Sequence, residues 1–135
     1  MSFDILQPHG WQRPSGYSNG IAARGRSIFI AGQIGWDASN RVVGKALAAQ
    51  VRQALLNIKS ILAEAQAEPR HIVRLTWYLT SREEYLADLQ GVGAAYREVM
   101  GAHYPVMSVV QVVALMEADA KVEIEATAVV PENAG

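Results

Sequence analysis

Two carboxylates near the end of the chain have a spacing that could support chemistry. Glu123 and Glu125 lie two residues apart in the segment Ala120–Val130, where apolar and polar residues alternate as in a strand. In an extended chain this spacing places both side chains on one face, where they could orient water or exchange protons. The alternative is a solvated strand face with Lys121 nearby. The preceding apolar segment, Tyr104–Leu115, offers no cation to meet the pair.

Other catalytic groups have weaker support in the sequence. The chain contains no Walker loop and no glycine fingerprint for phosphate binding. No metal-ligand spacing relates the three histidines, which are His9, His71 and His103. No nucleophile-elbow sequence surrounds the candidate serines, which are Ser15, Ser18 and Ser108. We therefore expect no metal site, and we expect these hydroxyls to lie in turns or on strand surfaces.

The composition limits the classes of function. The chain has 135 residues, half of them apolar, and a formal charge of -1, so it lacks the basic patch that nucleic-acid binding requires. It contains no cysteine, which excludes disulfides and thiol nucleophiles and suits the reducing cytoplasm. No segment approaches the roughly 20 apolar residues of a membrane span. We expect a cytoplasmic protein with neither nucleic-acid nor membrane partners.

The elements that must position the carboxylates follow from periodicity. Residues 1–135 are predicted to form one domain, in which residues 1–16, rich in proline and glycine, form an N-terminal arm. Before the two closing strands, the pattern predicts strand Ser27–Gly35, helix Lys45–Ala67, strand His71–Thr80 and helix Arg82–Met100. This order predicts an α+β fold, a mixed sheet covered on one face by two helices. The uncovered face predicts packing against another subunit.

Several segments, taken together, resemble one protein family. "SGYSNG", "IFIAGQIG", "QVRQALLNIKSILAEA", "HIVRLTWYLT", "YPVMSVV" and "KVEIEATAVV" follow the order of the RidA (YjgF-type) reactive-intermediate deaminases, from about Tyr17 to Val130. The resemblance implies a chorismate-mutase-like fold and a homotrimer that binds a small-molecule ligand in clefts between subunits. It also implies hydrolysis of enamines and imines, such as 2-aminoacrylate, to a 2-oxo acid and ammonia without a metal or organic cofactor.

The resemblance assigns a site residue by residue. Tyr17, Gly32 and Glu123 match the cleft tyrosine, the strand-end glycine and the water-positioning glutamate of the family. Ala31 replaces the usual cleft serine. The predicted site therefore has Glu123 as the catalytic residue and, for substrate binding, Tyr17, Ala31, Gly32, Met107 and Ser108.

The main departure from the family is Met107. It stands at the arginine of the family's Pro-Ala-Arg-Ser motif, here Pro105 to Ser108, and a thioether cannot form the bidentate pair that an arginine makes with a carboxylate. The sequence therefore predicts an enamine or imine hydrolase that does not favour 2-aminoacrylate. A non-catalytic trimer that binds a small ligand is the alternative. The ribonuclease activity credited to some family members is not favoured by the charge balance.

Overall fold

The N-terminal arm contains a strand that the sequence pattern did not predict. The computed structural model describes residues 3–132, and in it β1 (Phe3–Leu6) pairs antiparallel with β2 (Gly20–Ala23). Each strand has only four residues, too few for a clear period, and the prolines and glycines between them hide the pairing. The arm is thus anchored to the domain through a small two-stranded sheet.

The main sheet has four strands and a mixed topology, as predicted. Its strand order is β3-β6-β4-β5, in which β6 pairs antiparallel with β3 and with β4, whereas β4 and β5 run parallel. The strands are β3 (Arg26–Ile34), β4 (Ile72–Leu79), β5 (Val106–Gln111) and β6 (Val122–Val130). The predicted strand Tyr104–Leu115 is therefore too long, since pairing with β4 ends at Gln111. His71, predicted in a strand, belongs to the 3₁₀ turn Pro69–His71.

The first helix covers one face of this sheet. Helix α1 (Leu47–Glu64) packs on β3 and β6, and its apolar stripe includes Leu55, Ile58 and Leu62, each at most 1% exposed. On β6 the alternation is as predicted, because the side chains facing α1 are buried, namely Val122, Ile124, Ala126 and Ala128. The predicted two-helix layer thus has its core on one side of the sheet only.

The second predicted helix is in fact two helices. Chain direction changes at Asp88, which separates α2 (Arg82–Ala87) from α3 (Leu89–Met100). The Asp88 carboxylate accepts a hydrogen bond from the backbone N–H of Gly91 at 3.0 Å and so caps the start of α3. A Cβ atom at position 91 would lie 2.7 Å from Cγ of Asp88. Gly91 therefore marks a capped break, whereas the sequence pattern gave a continuous helix.

Gln50 is a polar residue of α1, yet the structure buries it completely. Its side-chain amide donates to the carbonyls of Gly44 and Asp119 at 2.7 and 3.1 Å, and its carbonyl accepts from the backbone N–H of Lys121 at 2.8 Å. These bonds tie the loop before β6 to the helix. Among residues 3–132, none of the helices is long and apolar enough to cross a bilayer.

Candidate functional site

The sheet face turned away from α1 carries polar side chains from β4, β5 and β6, and Phe29 and Ala31 from β3. The burial pattern and the strand registers place them there together. We call this the open face and define it by Phe29, Ala31, Arg74, Thr76, Tyr78, Ser108, Glu123, Glu125 and Thr127. Both predicted carboxylates lie on it, as the alternation in β6 indicates.

Glu123 lies directly against the backbone of Gly32. The register between β3 and β6 shifts between Ile30 and Gln33, so that Ile34 comes opposite Glu123. A Cβ atom at position 32 would lie 2.7 Å from both Cγ and Cδ of Glu123 and closer still to its carboxylate, so a larger residue there would force the Glu123 side chain to move. No described residue donates a hydrogen bond to this carboxylate, which leaves its oxygens available to a water molecule or a ligand.

Glu125 has a different environment from Glu123. The Tyr78 hydroxyl donates a hydrogen bond to Oε1 of Glu125 at 2.5 Å. That bond, together with burial and the charges of both carboxylates, raises the pKa of Tyr78, so the hydroxyl remains a neutral donor at physiological pH. The two carboxylates are therefore not equivalent, because Glu125 is held by a protein donor and Glu123 is not.

The alternative of a solvated strand face placed Lys121 near the two carboxylates. Its ammonium group pairs with the carboxylate of Glu84 at 2.7 Å instead. The cation on the open face is Arg74, which sequence reasoning missed. With Glu125 it lines a shallow hollow of about 350 Å³, whose other walls are Phe29, Ile30, Ala31, Thr76, Ala126 and Thr127. The alternation of Arg74, Thr76 and Tyr78 in "HIVRLTWYLT" could have placed all three on one polar face.

Met107 and Ser108 face opposite sides of the sheet. In the parallel pairing of β4 and β5, Met107 lies beside Leu75, a core residue, whereas Ser108 lies beside Thr76 on the open face. Met107 is partly buried against the core. One chain therefore holds Met107 and Glu123 on opposite faces of its sheet and cannot bring both to one small ligand.

Tyr17 lies beside the start of β5, the strand that carries Met107. The neighbouring Ser18 donates its backbone N–H to the carbonyl of Pro105 at 3.1 Å and its hydroxyl to the carbonyl of Tyr104 at 2.6 Å. These bonds fix Tyr17, which is 41% exposed, next to the start of β5. The hydroxyl of Ser18 thus binds backbone, in agreement with the turn role expected for it.

The predicted site residues therefore form two groups within one chain. The first, which we call the sheet border, consists of Ala31, Gly32 and Glu123. The second, the arm border, consists of Tyr17 and Met107. Ser108 belongs to neither group and lies on the open face beside Thr76. The fold and these borders define a small α+β domain with a free carboxylate beside a bulged strand.

Comparison with known proteins identifies the family. The family model described as Endoribonuclease L-PSP matches residues 11–130. The chain belongs to this family, the RidA (YjgF-type) group, and the resemblance inferred from its motifs is confirmed. The match covers every strand and helix except β1.

Relatives and solved structures agree with this assignment. The chain is 35% identical over 105 residues to 2-iminobutanoate/2-iminopropanoate deaminase of Bos taurus, covering 77% of this chain and 73% of that protein. It is 35% identical over 130 residues to a RutC family protein of Pyrococcus abyssi, with 95% and 98% covered. A Rid family protein of unknown function from Yersinia pestis, 33% identical, superposes with a TM-score of 0.82 over 96% of this chain and 100% of that one.

Proposed function

We propose that the protein hydrolyses an enamine or imine intermediate, releasing ammonia, with Glu123 positioning the attacking water. An enamine first takes up a proton at carbon to become the iminium ion. Water then adds to the iminium carbon while Glu123 accepts a proton from it, which forms a carbinolamine. Return of the proton from Glu123 to nitrogen lets ammonia leave, and Glu123 then takes the proton of the hydroxyl group as the carbonyl forms. Relatives named as iminobutanoate and iminopropanoate deaminases support this type of reaction.

The observation that carries this proposal is the free carboxylate of Glu123 against Gly32. A general base must accept a proton from water, so a carboxylate already bound by protein donors would be a poorer choice. Glu123 accepts no hydrogen bond from the described residues, whereas Glu125 accepts one from Tyr78. Glu123 is therefore the better candidate of the two.

We further propose that the active form is a chorismate-mutase-like homotrimer with its ligand clefts between subunits. Met107 and Glu123 lie on opposite faces of one sheet, so a shared cleft needs the arm border of one copy and the sheet border of another. Large apolar side chains support such an assembly, since Phe29 is 79% exposed, and Val113 and Met116 are about fully exposed.

The side chain at position 107 affects which substrate we propose for the protein. An arginine at this position would pair with the carboxylate of a small substrate, and a thioether makes only apolar contacts. We propose a substrate larger or less polar than 2-aminoacrylate. The expectation that no metal or organic cofactor takes part, and the cytoplasmic location suggested by the absence of cysteine, stay predictions.

Ammonia release from freshly generated imines tests the proposal. An L-amino acid oxidase supplies imines of leucine, methionine and phenylalanine, and a serine dehydratase supplies 2-aminoacrylate. We expect the protein to accelerate ammonia release from at least one of the bulkier imines and to affect 2-aminoacrylate little. Glu123→Gln should lower the acceleration by about 100-fold or more, the usual contribution of a general base. Glu64→Gln, an exposed change on α1, should leave it unaltered.

The same assay decides between this function and the alternative. If no imine is turned over in a manner that depends on Glu123, the protein is not a deaminase of this kind. Ligand binding without turnover would then favour a non-catalytic trimer that binds a small molecule. Efficient release from 2-aminoacrylate would instead contradict the role given to Met107.

A further inference from the structure

A second hollow lies on the helix side of the sheet, under the N-terminal arm. It has a volume of about 600 Å³, within the range of small-molecule sites. We call it the arm hollow and define it by its lining, which is Pro14, Ser15, Gly16, Trp77, Tyr85, Leu89, Val92, Gly93, Tyr96, Arg97, Tyr104 and Met107. This volume is far more than a three-carbon substrate needs, so the hollow has room for a larger side chain.

Aromatic rings form much of the wall of the arm hollow. Trp77 meets Tyr85 edge to face with ring centres 6.5 Å apart, and it meets Tyr96 in a tilted arrangement at 6.3 Å. Tyr96 in turn stacks on Tyr104 at 5.7 Å, and its hydroxyl donates to the carbonyl of His103 at 2.6 Å. Rings fixed in this way present flat faces and edges at little entropic cost, which suits an aromatic guest.

The charge of the arm hollow comes from Arg97 alone among its described lining residues. No carboxylate lines it, and burial raises the pKa values of Tyr85 and Tyr96, so both hydroxyls stay neutral. Arg97 makes no ion pair with a described residue, and the acid next to it in sequence, Glu98, pairs with Arg52. Arg97 therefore gives the lining a positive charge with no carboxylate beside it, which favours an anion.

Gly93 allows Arg97 to lie across the helix toward this hollow. A Cβ atom at position 93 would stand 3.1 Å from Nη1 of Arg97, so a larger residue would push the guanidinium aside. Met107 lines the same hollow. Position 107 lacks the arginine of the family, and Arg97 on α3 supplies a guanidinium to the same hollow.

Trp77 supplies a second polar group without a partner. Its side chain is only 2% exposed, and its indole N–H has no hydrogen-bond acceptor among the described residues. A buried donor without an acceptor is costly, and donors of this kind are commonly satisfied by a ligand or an ordered water.

We propose that the arm hollow binds a carboxylate that carries an aromatic ring, with the ring against Trp77 and Tyr85 and the carboxylate on Arg97. The substrate assignment rests on the proposed deaminase function, whereas the binding assignment does not. With that function, the substrate class is the 2-imino acids with aromatic side chains. Arg97 is then the residue that sets specificity.

Binding of 2-oxo acids by calorimetry tests this assignment without any turnover. Phenylpyruvate has both the ring and the carboxylate, pyruvate lacks the ring, and phenylacetone lacks the carboxylate. We expect phenylpyruvate to bind about tenfold or more tightly than either of the others. Arg97→Gln should weaken phenylpyruvate binding by about tenfold and leave phenylacetone unchanged, because a guanidinium on a carboxylate is a strong, charge-assisted contact. Arg41→Gln removes another exposed arginine, one that does not line the arm hollow, and should change neither.

Two results would overturn the assignment, namely equal binding of pyruvate and phenylpyruvate, or phenylpyruvate binding that is insensitive to Arg97→Gln. Turnover of imines that depends on Glu123, without phenylpyruvate binding in the arm hollow, would leave the deaminase function standing and remove this inference. Phenylpyruvate binding that depends on Arg97, without turnover of any imine, would leave the binding assignment standing and remove the deaminase function.

Discussion

The carboxylate of Glu123 occupies the space that a side chain at Gly32 would need. The two residues come from neighbouring strands, β6 and β3, at the point where the register between them shifts. The contact explains why a glycine stands in a strand that is otherwise rich in larger residues. It also fixes the direction of the one carboxylate on the open face that has no protein donor.

We predict that Gly32→Ala destabilises the protein through this contact. A new Cβ would overlap Glu123, and overpacking of this kind costs about 1–3 kcal/mol in the free energy of unfolding. In a Glu123→Ala background the same substitution should cost less than about 1 kcal/mol, because the obstructing carboxylate is gone. Urea denaturation of the four proteins measures this coupling. If Gly32→Ala lowers the free energy of unfolding equally in both backgrounds, the contact with Gly32 does not hold Glu123 in place.

The sequence predicted the sheet and its buried face well, since these depend on local periodicity. The alternation of buried and more exposed residues in β6 and the apolar stripe of α1 are both present in the structure. The burial of Gln50 and the helix break at Asp88 were not predicted, because both depend on partners that local periodicity does not record. Gln50 bonds to residues distant in sequence, and Asp88 bonds to the backbone at a helix start. The same holds for the Tyr78–Glu125 pair, whose members are 47 residues apart.

The placement of Met107 gives a prediction of gained activity. Met107→Arg should restore part of the ammonia release from 2-aminoacrylate, by about tenfold, since a guanidinium supplies the bidentate contact that a thioether lacks. Leu86→Arg, at a 56% exposed position on α2, adds the same charge elsewhere and should restore nothing. The coupled dehydratase assay measures both. A Met107→Arg protein that keeps its oligomeric state and remains inert would mean that the missing arginine is not the main defect.

The exposed Phe29 provides a test of assembly. Phe29 lies opposite Thr127 on the open face and is 79% exposed in a single chain, so a lysine there costs an isolated subunit little. In a trimer that buries the open face, the lysine would place an unpaired charge in an interface. We expect light scattering to give three chains for the wild type and one for Phe29→Lys. Leu86→Lys should remain trimeric, and a monomeric wild type would refute the proposed assembly.

His71 makes the stability of the fold depend on pH. It is 5% exposed, and its Nδ1 accepts a hydrogen bond from the backbone N–H of Glu68 at 3.0 Å, which requires that nitrogen to be unprotonated. Burial is the main cause that lowers the pKa of His71, aided by the charges of Arg70 and His103 and opposed by that of Glu68.

The sign of this dependence follows from the lowered pKa. Because the unfolded chain binds the proton more readily, the contribution of His71 to stability is complete above its ordinary pKa of 6.5 and is lost as the pH falls below that value. Urea denaturation at pH 7.5, 6.5 and 5.5 should therefore show a decline that His71→Gln reduces. His9→Gln, at an exposed position, should leave the decline unchanged. A decline of the same size in both variants would assign the pH dependence to other groups, because only His71 gives up a backbone hydrogen bond on protonation at Nδ1.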